Sequence, residues 1–176
     1  MKNSPNISSF EALPFYRGTS ERHSDSAPFI GAVRRDRTPR NSDVRAHEAA
    51  DQWMFNKFGL KFRSAAIFVT SDLSSAARYA HTPQHVSRIV PLGDYRFCWS
   101  PLVADMLSIP EFLYFESEQK LFSALDRFQY QCDDLSSANQ SGNEVMLSCE
   151  HYIGMPIASL GISPSLRGSL IIPQEP

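Results

Sequence analysis

Apolar residues recur at helical spacing in two places along the chain. Ala46, Ala49, Ala50, Trp53, Met54 and Phe58 fall on one stripe, with Ser42 or Asp43 placed to cap its start. Gly59 stands where a left-handed residue ends a helix. A second stripe, Leu121, Phe122, Leu125 and Phe128, predicts a helix within Ser117–Gln131. Runs of strand formers lie around these helices. Leu13–Gly18 reads as a strand ended by Gly18, and Ala65–Thr70 as a buried strand. Val86–Pro91 and Tyr95–Trp99 read as two strands joined by a Pro-Leu-Gly-Asp turn signal. A further strand begins at Glu144 and runs toward Tyr152, and Ser71-Asp72 can cap a short helix over Ser74–Tyr79.

Polar stretches separate these elements. The first nine residues are rich in Ser and Asn and read as frayed. Thr19–Ser42 is a polar loop of 24 residues that carries the run Arg34-Arg35-Asp36-Arg37-Thr38-Pro39-Arg40. That is long for a structureless connection and predicts a functional loop or a short hidden element. Asp133–Asn143 reads as turn-rich, and the tail from Pro156 has no period. The aromatic run Phe112, Tyr114, Phe115 is expected in the core. Together these segments predict one α+β domain over residues 11–155, with a flexible N-terminus at 1–10 and a C-terminal extension at 156–176.

Composition narrows the function. A chain of 176 residues that is 42 % hydrophobic and 20 % charged fits one soluble globular domain. Its net charge of −2 gives no general attraction to nucleic acid or anionic lipid. Without a long apolar run or a signal-peptide core, the expectation is a cytoplasmic protein, or one delivered into a target cell without a Sec signal. No membrane partner is expected, and the oligomeric expectation is a monomer or weak oligomer. Cys98, Cys132 and Cys149 lack metal-ligand spacing, and the histidine pair His81 and His85 flanks Pro83, so neither a disulfide framework nor a metal is expected. Of 17 basic residues, 13 are Arg, whose forked guanidinium favours a phosphate-bearing ligand.

Three segments carry candidate chemistry. Tyr16-Arg17-Gly18 puts an arginine at the end of an apolar strand, where it must pair with a carboxylate or hold an anion. Phe68-Val69-Thr70-Ser71-Asp72 ends a strand in hydroxyls that can hold a sugar, orient a carboxylate, or cap the helix behind. Gly142-Asn143-Glu144-Val145-Met146-Leu147 opens an apolar strand with a carboxylate. The run Arg34 to Arg40 is either a solvated loop or a contact for phosphates or an acidic target surface.

In this order the three segments resemble the ADP-ribosyltransferase family in its Arg–Ser–Glu branch, of the compact kind used by bacterial and phage effectors or toxins. Arg17 matches the arginine of the first strand. Phe68, Thr70, Ser71 and Asp72 align with the aromatic-x-Ser-Thr-Ser strand, and Glu144 with the catalytic glutamate. The resemblance implies a split β-sandwich fold with flanking helices, NAD as substrate, and a macromolecular acceptor, protein rather than nucleic acid. It further implies that Arg17, Gly18, Thr70 and Ser71 bind NAD, with Arg17 on its diphosphate. Glu144 would hydrogen-bond the ribose and offset the positive charge that develops as nicotinamide leaves, and Thr70 would position Glu144 or the ribose. The chain departs from the pattern at Thr70, at Asp72 and at Gly142, which replaces the usual second Glu or Gln two positions before Glu144. Glu150 is the rival catalytic carboxylate. Two other readings stay open: an RNA 2′-phosphotransferase-like enzyme, and a catalytically inactive binding or inhibitor protein on the same fold.

Overall fold

The computed structural model describes residues 7–19, 27–39 and 42–161. The chain begins with helix α1 (Ile7–Ala12), strands β1 (Tyr16–Gly18) and β2 (Phe29–Ala32), and helix α2 (Val44–Phe58). Strand β3 (Ile67–Val69), helix α3 (Leu73–Arg78) and the long strand β4 (Val86–Trp99) follow. Helices α4 (Pro110–Leu113), α5 (Glu118–Arg127) and α6 (Leu135–Ser141) then lead to strand β5 (Val145–Pro156). α2 forms where its periodicity and caps direct. The Asp43 carboxylate accepts from the Arg45 amide at 2.8 Å, and the Gly59 amide closes the last turn on the Phe55 carbonyl at 2.8 Å.

The strands form one open antiparallel sheet in the order β1-β4-β5-β2, with β3 also paired to β5. β4 lies along one edge of β5, while β3 and β2 share the other edge. One further bridge, Tyr16 to Thr70, links β1 to the end of β3. Side-chain alternation along the central strands divides the core between the two faces. Cys98 and Met146 point to one side, packing with Ala50, Trp53 and Met54 of α2, Phe112 of α4 and Leu121 and Leu125 of α5. Phe97, Trp99, Val145 and Leu147 point to the other, against Phe10 of α1 and Leu135 and Ala138 of α6. Each large apolar side chain buried this way contributes about 1.5–3 kcal/mol, so helices on both faces hold the sheet in place. The result is a single mixed α+β domain.

Four sequence expectations are corrected. The two strands predicted over Val86–Trp99 are one strand. Pro91-Leu92-Gly93-Asp94 forms a bulge, with Leu92 opposite His151 and Tyr95 opposite Cys149, so the extra residue is absorbed without a turn. The predicted turn Asp133–Asn143 contains α6, capped by the Asp134 carboxylate on the Ser137 amide at 3.0 Å. Residues 7–9, expected to be frayed, belong to α1, and β2 is the hidden element of the long loop. Phe112 is buried as expected, but Tyr114 is 74 % exposed, because α4 is one short turn whose end faces outward. Residues 1–6 and most of the C-terminal extension lie outside the described residues, as do His23 and Arg40. Among the described residues no helix is long and apolar enough to cross a membrane.

Candidate functional site

The three segments singled out in the sequence meet at the junction of β1, β3 and the start of β5. Tyr16 and Thr70 exchange backbone hydrogen bonds at 2.6 and 2.9 Å, which sets Arg17 beside the end of β3. The Arg17 guanidinium donates from Nη1 to the Phe68 carbonyl at 3.2 Å. Burial lowers its pKa, against the opposing pull of Tyr152 and Glu144, so Arg17 and Glu144 share one electrostatic environment. Gly18 faces the end of α3 at backbone contact; a Cβ there would lie 2.5 Å from the Ala80 amide nitrogen.

The hydroxyls after β3 tie this strand to α6. Thr70 Oγ1 donates to the Gly142 carbonyl at 2.6 Å and accepts from the Asp72 amide at 3.1 Å. The Ser71 hydroxyl donates to the Asn139 carbonyl. Asp72 caps α3, accepting from the amides and hydroxyls of Ser74 and Ser75. Burial raises its pKa, but these hydrogen bonds win and hold it below the usual carboxylate range. Gly142 ends α6 at φ 71°, a conformation that a side chain resists, and turns the chain into β5. Thr70 is therefore tied to the turn two residues before Glu144. Its hydroxyl bonds the Gly142 carbonyl, not the carboxylate.

Glu144 is held by its own backbone. Its amide donates to the Ala104 carbonyl at 2.7 Å, and the neighbouring Asn143 side chain donates to the Ser100 carbonyl at 2.9 Å. The carboxylate Oε1 lies 3.5 Å from Nη1 of Arg63, with the two side chains 20 % and 7 % exposed. Burial pushes the Glu144 pKa up; Arg63 pulls it down, Asp105 adds to the rise, and Arg37 and the Met106 amide oppose it. The guanidiniums of Arg37 and Arg63 lie 4.1 and 4.6 Å from the centre of the Phe68 ring, and Arg63 also lies 5.2 Å from that of Phe112. Tyr79 is 59 % exposed, and its phenol is raised by burial first and then by the Asp105 and Glu144 charges. Tyr130 is buried near Glu144, and its phenol is pushed well above the ordinary range, by burial first and then by that carboxylate.

No protein-family model, curated protein or solved structure matches this chain. The site is therefore read from its own chemistry. The Glu144 carboxylate pairs with Arg63 and interacts electrostatically with Arg17, Arg37 and Asp105. Arg63 Nε is buried without a hydrogen-bond partner. Such a set suits a ligand that brings its own negative charge. Glu150 stands apart: it is exposed on β5, with His151 Nδ1 at 4.0 Å. His81 and His85 touch edge to face at 5.6 Å, and among the described residues no three His, Cys, Asp or Glu side chains cluster for a metal.

Arg63 and Asp105 were not anticipated from the sequence. Lys61-Phe62-Arg63-Ser64 joins α2 to β3, and the buried Asp51 carboxylate of α2 accepts from the Arg63 amide at 2.7 Å and folds that turn inward. The usable signal was the arginine excess, of which Arg37 is the part that lies at the site.

Proposed function

We propose that this protein is an NAD-dependent ADP-ribosyltransferase of the Arg–Ser–Glu type, built on a split β-sandwich, that transfers ADP-ribose to a macromolecular acceptor, as a toxin or effector. The observation that carries the reading is the meeting of Arg17, Thr70 and the Gly142–Glu144 turn, far apart in sequence, at one end of the sheet beside a half-buried carboxylate. In this reading Arg17 takes the diphosphate of NAD through charge-assisted hydrogen bonds. The bond between nicotinamide and the ribose anomeric carbon breaks, and its electron pair leaves with nicotinamide, cancelling the ring's positive charge. The ribose becomes oxocarbenium-like, and the Glu144 carboxylate offsets that charge. The acceptor's nucleophile forms the new bond to the anomeric carbon and gives up its proton to solvent.

The test is nicotinamide release from NAD by the purified protein, with and without cell lysate. Glu144→Gln is expected to lower release by at least about 100-fold, the usual loss when one preorganised electrostatic group is removed. Glu150→Ala is expected to release nicotinamide at the parent rate. A second reading, an inactive binding protein, is favoured by Ser71 and Asp72, whose side chains are engaged in ties to Asn139 and α3. It predicts no release in any condition, with or without lysate.

A further inference from the structure

We propose that Arg63 is a positioning residue of this site, acting through Glu144 to hold that carboxylate as an oriented anion. The inference rests on the transferase reading for its catalytic consequence, but not for its structural core. Arg63 is built to keep one orientation. Its amide is bound by Asp51, its guanidinium lies against the Phe68 and Phe112 rings, and its Nη1 faces Glu144 Oε1 at 3.5 Å. The planar guanidinium suits both tasks, stacking on rings and aiming N–H groups at a carboxylate. Asp51 also accepts from the Ser64 amide at 3.3 Å, so the turn that carries Arg63 is fixed on both sides of its peptide.

The surroundings explain why Glu144 needs such a partner. Burial and the Asp105 charge both favour its protonated form, in which it would offset no positive charge. Arg63 from the turn after α2 and Arg37 from the segment after β2 oppose them, as does the Met106 amide. Arg17 of β1 is also electrostatically coupled to Glu144, as are the phenols of Tyr79 and Tyr130. Arg63 pairs with the carboxylate at 3.5 Å and exerts the largest pull of these cations.

The test separates this role from the function it serves. Glu144 is titrated by carbon NMR of glutamate-labelled protein, in the parent chain and in Arg63→Met, with Glu144→Gln assigning the resonance. Removing the guanidinium is expected to raise the Glu144 pKa by about one to three units. In nicotinamide release the acid limb of the pH profile moves up by the same amount, and kcat at neutral pH falls with little change in KM for NAD. Arg63→Lys keeps the charge but loses the planar fork, so it is expected to leave the titration near that of the parent while kcat still falls. An unmoved titration in Arg63→Met overturns the proposal, as does a rise in KM with an unchanged pH profile, which assigns Arg63 to substrate binding. Should Arg63→Met fail to fold, Arg63→Lys decides: a parental kcat overturns the proposal. A shifted Glu144 titration in a protein that releases no nicotinamide leaves the pairing standing and removes the transferase reading.

Discussion

A methyl group at Gly18 would sit 2.5 to 2.6 Å from Ala80 N, Ala76 O and Tyr79 C, backbone atoms that can yield only if α3 moves. Gly18→Ala is therefore expected to destabilise the fold by about 1–3 kcal/mol, the range for overpacking, in urea unfolding. It should also disturb Arg17, its neighbour on β1, so any loss of nicotinamide release would exceed what unfolding explains. The cysteines give a second contrast at this scale. Burial pushes the Cys149 thiol up to about 12 and raises that of Cys98 well above its ordinary value, where a hydrogen bond with the Cys132 thiol adds to the effect. Neither should react with a maleimide at pH 8 in the folded protein, whereas both should react in urea; mass spectrometry of the labelled chain reads the difference. Arg17, Thr70 and Glu144 were legible as residues because each sits at the end of an apolar run. Arg63 was not, because its burial comes from Asp51, a carboxylate on another element that no local pattern connects to it.

At the scale of elements, α3 depends on one carboxylate. Asp72 accepts from two amides and two hydroxyls, so Asp72→Ala is expected to cost about 1 kcal/mol, as loss of an N-cap does. The folded-state pKa of Asp72 lies below its ordinary value, so its contribution is complete above the unfolded carboxylate pKa and is lost as pH falls through the folded one. Asp72→Asn keeps a capping acceptor but does not titrate there. Urea midpoints measured between pH 7 and pH 3 should thus fall less steeply in Asp72→Asn than in the parent. The elements that were legible share this local logic: α2 and α5 have period, caps and length together, and β3 is a run of strand formers. Those that were missed depend on distant partners. β2 is short and pairs on β5, with Ile30 70 % exposed, so it carries no burial pattern. α6, Leu-Ser-Ser-Ala-Asn-Gln-Ser, buries only Leu135 and Ala138, and its polar residues read as a turn. β4 carries a turn signal that pairing with β5 overrides.

Across the whole molecule, the site draws on β1, the end of β3, the turn after α2, the segment after β2 and the start of β5. A ligand that bridges them would stabilise the native state as a unit, since none of these segments can present its group alone. If NAD is that ligand, at 100 times its dissociation constant it stabilises the fold by about 2.7 kcal/mol. For a domain of this size each kcal/mol moves the melting midpoint by about 2–4 °C, so a rise of about 5–10 °C is expected. The measurement is best made on Glu144→Gln, which should bind NAD without consuming it. Arg17→Gln should keep its fold, since the bridge between Tyr16 and Thr70 is made by backbone alone, yet lose most of the rise because the diphosphate loses its partner. An equal rise in Arg17→Gln would place the phosphates elsewhere, on Arg37 and Arg63, which lie together on the Phe68 ring. No rise in either protein would show that the guanidiniums around Glu144 serve the fold alone. The same result would remove the NAD binding that ADP-ribose transfer requires.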